Sequence, residues 1–468
     1  MSLRALALGA SLLLGCAIGP NYERPTVDSP PDYRGQIEPA EAASLADLPW
    51  WEIFRDPVLV DLVSEALENN YDLVIATTRV EQSRQLVGAA RSEFFPQVGY
   101  NGGAARQKSP LNFVPNSRQT FNSFVGAFQL AWEIDVWGRI RRSNEAARAD
   151  LMAAEDFRRG VLLGLVSSVA SAYFDLLELD RELEIARDTT RSFESTLELF
   201  SRRYEGGVGS KLQKTRAAAA LAQAAATIPA LEARIFAQEN ALNVLLGRNP
   251  ASIPRGTSLD AQEVPPEAPP GLPAALLERR PDVRSAEQDI VAENALIGVA
   301  LANFFPRIGL TAAYGGASTE LKDLVKGSAS IWHVAAEVAG PIFQGGLLLS
   351  QYRGQKARWG EARARYEQVV IGAFAEVSDR LTLKQKLAEE RIQREREVRE
   401  LQESVRLSLL RYREGLASYY EVLEAQQQLF PAQRQLAATR RDELVVVVAL
   451  YRALGGGWQL GESWQPVP

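Results

Sequence analysis

The chain has 468 residues, 46% of them hydrophobic, enough for two or three ordinary domains or one elongated, repeated one. Its formal net charge of −6 excludes the broadly basic surface of a nucleic-acid-binding protein. Cys16 and His333 are the single cysteine and single histidine, which excludes an intrachain disulfide and leaves a Cys/His metal site or a Ser-His-Asp triad with one candidate residue.

Residues 1–15 combine Arg4, an apolar run from Ala5 to Leu14 and Gly15, the pattern of a bacterial secretory signal. Leu13-Leu14-Gly15-Cys16 resembles a lipobox, so Cys16 is expected to be acylated and to become the first residue of the mature chain. Ala17 stands where inner-membrane lipoproteins often carry Asp, which favours outer-membrane sorting. Each buried methylene of an acyl chain contributes roughly 0.8 kcal/mol, so several chains make a durable anchor to outer-membrane lipid. Residues 16–55, rich in proline, read as an extended arm. No unbroken run of 18 apolar residues follows the leader, so any membrane-spanning element is expected to be β.

The remainder is duplicated. Phe94-Phe95-Pro96 recurs as Phe304-Phe305-Pro306, and Arg203-Tyr204 with Gly207 and Ser210 recurs as Arg411-Tyr412 with Gly415 and Ser418. Repeat 1 is placed at 56–250 and repeat 2 at 274–456, joined by a stiff proline-rich linker at 264–273 and followed by a tail at 457–468. Period-two alternation predicts strands at about 97–107 and 121–135 in the first repeat and at about 307–317 and 329–341 in the second. These lengths suit a tilted bilayer-crossing strand, although a half-buried soluble sheet gives the same alternation.

A helical seam follows each strand pair. From Leu165 to Tyr204 apolar residues keep steps of three and four, with Thr190 the one polar member. A helix from about Arg139 to Arg203 would be roughly 100 Å long at 1.5 Å per residue. Its counterpart runs from about Leu347 to Tyr412, and helices returning over Ser210–Leu246 and Ser418–Leu454 complete two antiparallel hairpins. Pro229 and Pro431 are expected to kink the returning helices or to mark non-ideal packing within them. Four strands cannot close a cylinder in a membrane, where every edge must be paired. Two copies would give an eight-stranded barrel nearly filled by side chains, whereas three give twelve strands and leave a passage.

Gly19-Pro-Asn-Tyr-Glu-Arg-Pro25, Trp50-Trp51, Asp56-Pro57, Trp132-Glu-Ile-Asp-Val-Trp-Gly-Arg139 and Pro341-Ile-Phe-Gln-Gly-Gly346, in that order, resemble the outer membrane factors of tripartite efflux systems. The chain is similar to the NodT-type lipoprotein branch of the TolC-like family over nearly its whole mature length. The resemblance implies a mainly α protein with a membrane β part, built of two tandem repeats that each hold a β-hairpin and long antiparallel helical hairpins. It implies a homotrimer whose 12-stranded β-barrel in the outer membrane continues into an α-helical periplasmic tunnel. It also implies a passive, non-enzymatic conduit, with a periplasmic adaptor and an inner-membrane pump of RND type as partners. No cofactor, metal or nucleic acid is expected.

Gly207, Val208, Gly209 and Ser210, with Gly415, Leu416, Ala417 and Ser418, form the turns between descending and returning helices. Glycine there is an ordinary helix stop, but in the family such tips receive the adaptor. Just beyond the second tip, Tyr420, Glu421 and Glu424 share a helical neighbourhood. An acidic helix start is explained equally well by the helix dipole. By the resemblance, three copies of these carboxylates would converge as a tunnel gate. The first repeat carries Gln213 and Arg216 at the equivalent positions, and we hypothesise that Arg216 pairs with Glu421 or Glu424 across neighbouring hairpins in the resting state. Ala417 stands where some members have a basic latch nearby. Two other readings are a non-conducting coiled-coil scaffold tethered at Cys16 and an exit duct for type I protein secretion.

Overall fold

The computed structural model describes residues 17–36, 44–53, 55–108, 120–264 and 269–456. The leader, Cys16, linker residues 265–268 and the tail from 457 lie outside the described residues. Two compact units are present. The first takes in Met1–Thr26, Thr78–Glu155 and Ser285–Gln368, and the second Val27–Thr77, Asp156–Arg284 and Val369–Pro468.

After a one-turn helix at Trp50–Ile53, the first repeat contains α1 (Pro57–Asn69), α2 (Tyr71–Ser92), β1 (Gln97–Lys108), β2 (Thr120–Ile134), α3 (Arg139–Glu205), α4 (Lys211–Ala225) and α5 (Thr227–Leu245). The second contains α6 (Pro273–Arg279), α7 (Pro281–Ala302), β3 (Arg307–Ser318), β4 (Ser330–Ala339), α8 (Leu347–Arg413) and α9 (Tyr419–Ala453). The duplication is metrical: α3 and α8 are each 67 residues long and α2 and α7 each 22.

The first unit holds an antiparallel sheet in the order β1-β2-β3-β4. Its hairpin registers agree between repeats, Gln97 facing Ala131 in one and Arg307 facing Ala339 in the other. The repeats are joined through β2 and β3, where Leu130 faces Ala312. On one side stand Val98, Tyr100, Phe128, Tyr314, Trp332, Val334 and Val338, all exposed in the single chain. The opposite side carries Gln129, Glu133, Thr311, His333 and Glu337, as strand alternation requires. At the β2–α3 junction the Trp137 indole donates to the Pro306 carbonyl (2.7 Å) and stacks on Phe305 with centroids 4.8 Å apart. The arm lies against the same unit. Arg142 donates to the Asn21 side chain (2.8 Å), Asn294 to the Pro20 carbonyl (3.0 Å) and Tyr22 to Glu287 (2.9 Å).

In the second unit the breaks between α1 and α2 and between α6 and α7, which hydrophobic period alone does not single out, are locked by paired devices. Asn70, between α1 and α2, donates to the Leu245 carbonyl (2.9 Å), and Arg280, between α6 and α7, donates to the Ala453 carbonyl (2.8 Å). Each therefore satisfies an orphan carbonyl at the end of its own repeat's returning helix. Gly247 follows α5 with φ +69°, and a Cβ there would lie 2.2 Å from the Asn69 carbonyl oxygen. The recurring Leu-Gly pair is thus a helix stop under direct backbone packing.

Two expectations change. The returning chain of repeat 1 is broken at Ala226 into α4 and α5, whereas α9 runs through Pro431. Pro229 sits in the first turn of α5, where its missing N–H removes no helical bond, so it starts a helix and does not kink one. The arm is not extended throughout, because Leu45–Asp47 and Trp50–Ile53 are helical. α3 contains one window that, by length and composition, could cross a membrane without being an unbroken apolar run, and 56% of that window is buried inside the protein. Val169, Tyr173, Phe174 and Leu176 in that stretch are at most 2% exposed, so the apolarity is that of a core helix.

Candidate functional site: the paired hairpin tips

The tips belong to the second unit. α3 stops where Gly207 takes φ +76°, its N–H donating to Tyr204 O (3.0 Å) while Val208 N–H donates to Arg203 O (3.0 Å). α8 stops identically at Gly415, φ +73°, with Gly415 N–H on Tyr412 O (3.1 Å) and Leu416 N–H on Arg411 O (2.8 Å). Both are left-handed helix stops. A Cβ on either glycine would meet nothing within 4 Å, so these positions require a backbone angle and not empty space.

Each stop thrusts an aliphatic residue outward, since Val208 and Leu416 are both 71% exposed. On the next turn Leu212 and Tyr420 are both 61% exposed. Gly209 packs against Arg203 and also donates to its carbonyl (2.9 Å), while Ala417 is half-buried. The returning helices start from Ser210 and Ser418. The Ser210 hydroxyl accepts from Gln213 N–H (3.2 Å) while Ser210 N–H donates to the Gln213 side chain (3.3 Å). Ser418 N–H donates to Glu421 Oε1 (3.3 Å). Gln213 and Glu421 are therefore cap residues within the chain, a role that satisfies orphan N–H groups at a helix start.

Beneath the tips lies a core built from four helices: Phe193 and Phe200 of α3, Ala217, Ala220 and Ala224 of α4, Tyr412 of α8, and Tyr419, Val422 and Leu423 of α9. The alanines of α4 let the neighbouring rings approach closely. Phe200 stands 4.0 Å from the Tyr419 ring centroid and 5.6 Å from that of Tyr412, with the Arg203 guanidinium 5.4 Å from the Tyr412 centroid. The hydroxyls of Tyr412 and Tyr419 are buried without a hydrogen-bond partner. Burial pushes the Tyr412 hydroxyl up and, together with the neighbouring Tyr412, pushes that of Tyr419 up to about 12. Phe200→Ala should cost ~3–5 kcal/mol in this region. Faster amide hydrogen exchange over Tyr412–Val422 is the expected readout, and exchange at the parental rate would show that the ring does not hold the tips together.

On α9 the buried residues Tyr419, Val422, Leu423 and Gln426 alternate with exposed Tyr420, Glu421 and Glu424. The proposed gate residues are thus turned away from the chain's own core, and Arg216 on α4 is exposed as well. Within one chain no ion pair joins Arg216 to Glu421 or Glu424 among the described residues, and the Glu421 carboxylate accepts from the Ser418 N–H. Lys214 instead reaches Glu205 (3.7 Å) and lies 5.6 Å from the Tyr204 ring centroid. The aromatic trio was not singled out in the sequence as a site. Its signal is a broken repeat, since Tyr419 stands where the first tip has Lys211.

Behind the tips, in the same unit, Glu182 is 4% exposed and accepts from Arg434 (2.9 Å) and Arg234 (3.2 Å), which tie α9 and α5 to α3. Asp56, 2% exposed, accepts from Val58 N–H (3.0 Å), the Tyr173 hydroxyl (3.0 Å), Thr257 N–H (3.0 Å) and Gln262 Nε2 (2.7 Å).

The outer membrane efflux protein family matches the chain twice, over residues 62–248 and 272–456, once on each repeat. The probable efflux pump outer membrane protein TtgC of Pseudomonas putida is 34% identical across 99% of this chain and 98% of its own. The cation efflux system protein CusC of Escherichia coli is 30% identical across 96% of this chain and 97% of its own. The solved outer-membrane channel OprN superposes with a TM-score of 0.88 at 29% identity, covering 95% of this chain and all of that one. With both repeats matched, and relatives aligned from end to end, the chain belongs to the outer membrane efflux protein family.

Proposed function

We propose that this chain is the outer-membrane channel of a tripartite efflux pump and conducts small toxic compounds passively to the exterior. Three copies form a 12-stranded barrel in the outer membrane, with helical hairpins in the periplasm. The observation that carries the reading is the four-stranded sheet, which is apolar along one face and, among the described residues, has an unpaired edge at each end. Such a sheet is unstable in lipid unless further strands close it. An acylated Cys16 adds a second hold on the membrane and is the single covalent group the reading requires. A periplasmic adaptor docks on the exposed aliphatic tips, and an RND-type inner-membrane pump supplies the energy. Purified protein should run as a heat-modifiable, detergent-resistant trimer and conduct ions in a planar bilayer. A chain that folds but gives neither trimer nor conductance would be a tethered scaffold.

The gate forms part of the same proposal. Glu424, Tyr420 and Glu421 face out of the single chain, which leaves them for the tunnel axis or a neighbouring hairpin, and Arg216 is free to meet them from an adjacent copy. Like charges brought together around an axis attract cations and disfavour full ionisation. Glu424→Ala trimers should lose cation selectivity, and Arg216→Ala trimers should open to higher conductance. Single-channel recordings that match wild type for both variants would remove the gate from the proposal.

A further inference from the structure

The apolar side of the sheet carries a slot that strand alternation does not require. Tyr100, Phe128, Tyr314 and Trp332 are paired in register across the four strands and form one continuous aromatic row. The next row toward the loop ends of the strands is Gly102, Gly126, Gly316 and Ser330, where no side chain exceeds a hydroxymethyl group. Residues two apart in a strand share a face, so both rows lie on one side of the sheet. The connection between β3 and β4 folds over part of the second row. Leu324 Cδ2 would stand 3.7 Å from a Cβ at Gly126, and the Leu324 carbonyl oxygen 2.2 Å from one at Gly316. A Cβ at Gly102 would meet nothing within 4 Å. The trough is therefore walled over β2 and β3 and open over β1.

Along β1 the same side continues from Gly102 through Ala104 to Arg106 and Lys108. Both cations are exposed, and neither forms an ion pair among the described residues. The carboxylates of the β3–β4 connection are already engaged, Glu320 by Lys322 (2.6 Å) and Asp323 by Lys326. From Ile134 to Phe124 the apolar side of β2 rises by about 33 Å at 3.3 Å per residue, or about 25 Å along the membrane normal for a strand tilted about 40°. That is the height of the apolar band of such a barrel. Arg106, paired with Asn122, stands on the first row beyond it, at the level of lipid headgroups.

We infer that this slot binds the phosphorylated glycolipid of the outer leaflet, lipid A. An acyl chain lies over Gly102 and Ala104 against the Tyr100 ring, and a sugar phosphate is held by Arg106 and Lys108. This rests on the barrel reading above, which puts the loop ends of the strands at the exterior and the apolar side toward lipid. Two cations two residues apart on one strand face have Cα atoms about 7 Å apart, close enough for both side chains to reach one phosphate, and the Arg fork can grip two of its oxygens. Phospholipids of the inner leaflet lie at the other end of the strands, so the occupant comes from the outer leaflet. The absent side chain at Gly102 gives its acyl chain room beside the ring.

Full-length protein purified from outer membranes, stripped of lipid and held in detergent, tests the slot with defined lipids: bisphosphorylated lipid A, its dephosphorylated form and phosphatidylglycerol, with bound lipid counted by native mass spectrometry. Wild-type protein should retain bisphosphorylated lipid A about tenfold better than either of the others, the scale of a charge-assisted phosphate contact. Arg106→Ser with Lys108→Ser should lose about that factor, and Gly102→Leu, which keeps both cations and fills the slot, should lose a comparable one. Millimolar inorganic phosphate should leave the lipid in place, because it has no chain to fill the slot. Equal retention of phosphatidylglycerol, displacement by phosphate alone, or lipid A binding unchanged in either variant overturns the assignment. Trimer formation and conductance are measured on the same samples. Wild-type protein that forms conducting trimers but retains no lipid A sinks the slot alone, whereas protein that neither trimerises nor conducts sinks the channel reading beneath it.

Discussion

Replacing both Gly207 and Gly415 by tryptophan is expected to abolish export while leaving trimer assembly intact. Both glycines sit at positive φ, so any L side chain costs ~1–2 kcal/mol at each turn, a local strain within the last turn of a helix. The added indoles would meet none of the chain's own atoms near Cβ and would stand among Val208 and Leu416, on the surface assigned to the adaptor. Bulk on a docking surface acts through lost complementarity, and each 1.4 kcal/mol lost is about tenfold in affinity. Alanine at the same positions carries the backbone strain without the bulk and should keep most export. Drug-susceptibility measurements compare the pairs, with detergent-resistant trimer on gels as the assembly control. Normal resistance in the tryptophan variant would place adaptor docking elsewhere.

The second large effect is on stability. Asp56 is buried and holds the start of α1 to α3 and to the segment after α5 through four acceptor contacts. Asp56→Ala leaves the Tyr173 hydroxyl, two N–H groups and the Gln262 amide without their shared partner. A cost of ~3–5 kcal/mol is expected, the range for breaking a buried charged network. Thermal unfolding followed by the helical signal, and protease cutting after α5, provide the measure. Asp56→Asn preserves volume but presents an amide donor to at least one donor, so it should recover only part of the loss. An alanine variant within about 1 kcal/mol of wild type would mean that the network adds no net stability.

The tips differ from each other in a way that bears on how they could act. The first carries Lys211, Lys214 and Arg216, and the second carries Tyr419, Val422 and Glu424 at the matching places. Identical backbone stops thus present a basic and an acidic start to their returning helices. In a ring of copies the two kinds alternate, which suits the attraction between neighbouring hairpins that the proposed gate requires.

By itself the sequence determined the elements whose cause is local. Alternation of apolar residues marked all four strands, and sustained steps of three and four marked α3, because pleat and helical turn fix those periods whatever packs against them. Duplicated Gly207 and Gly415 marked the helix stops for the same reason, since left-handed backbone is a property of one residue. The helices that precede each strand pair, α1, α2, α6 and α7, were missed: α2 shows almost no buried face, and the breaks between α1 and α2 and between α6 and α7 rest on Asn70 and Arg280 reaching carbonyls 175 and 173 residues away. The caps made by Gln213 and Glu421 follow from the local Ser-x-x-Gln and Ser-x-x-Glu spacing, whereas only the tertiary structure decided that Phe200 binds Tyr412 to Tyr419 and that β2 meets β3 in one register. Both of these are relations between groups distant in the chain, and no local period encodes which partner wins.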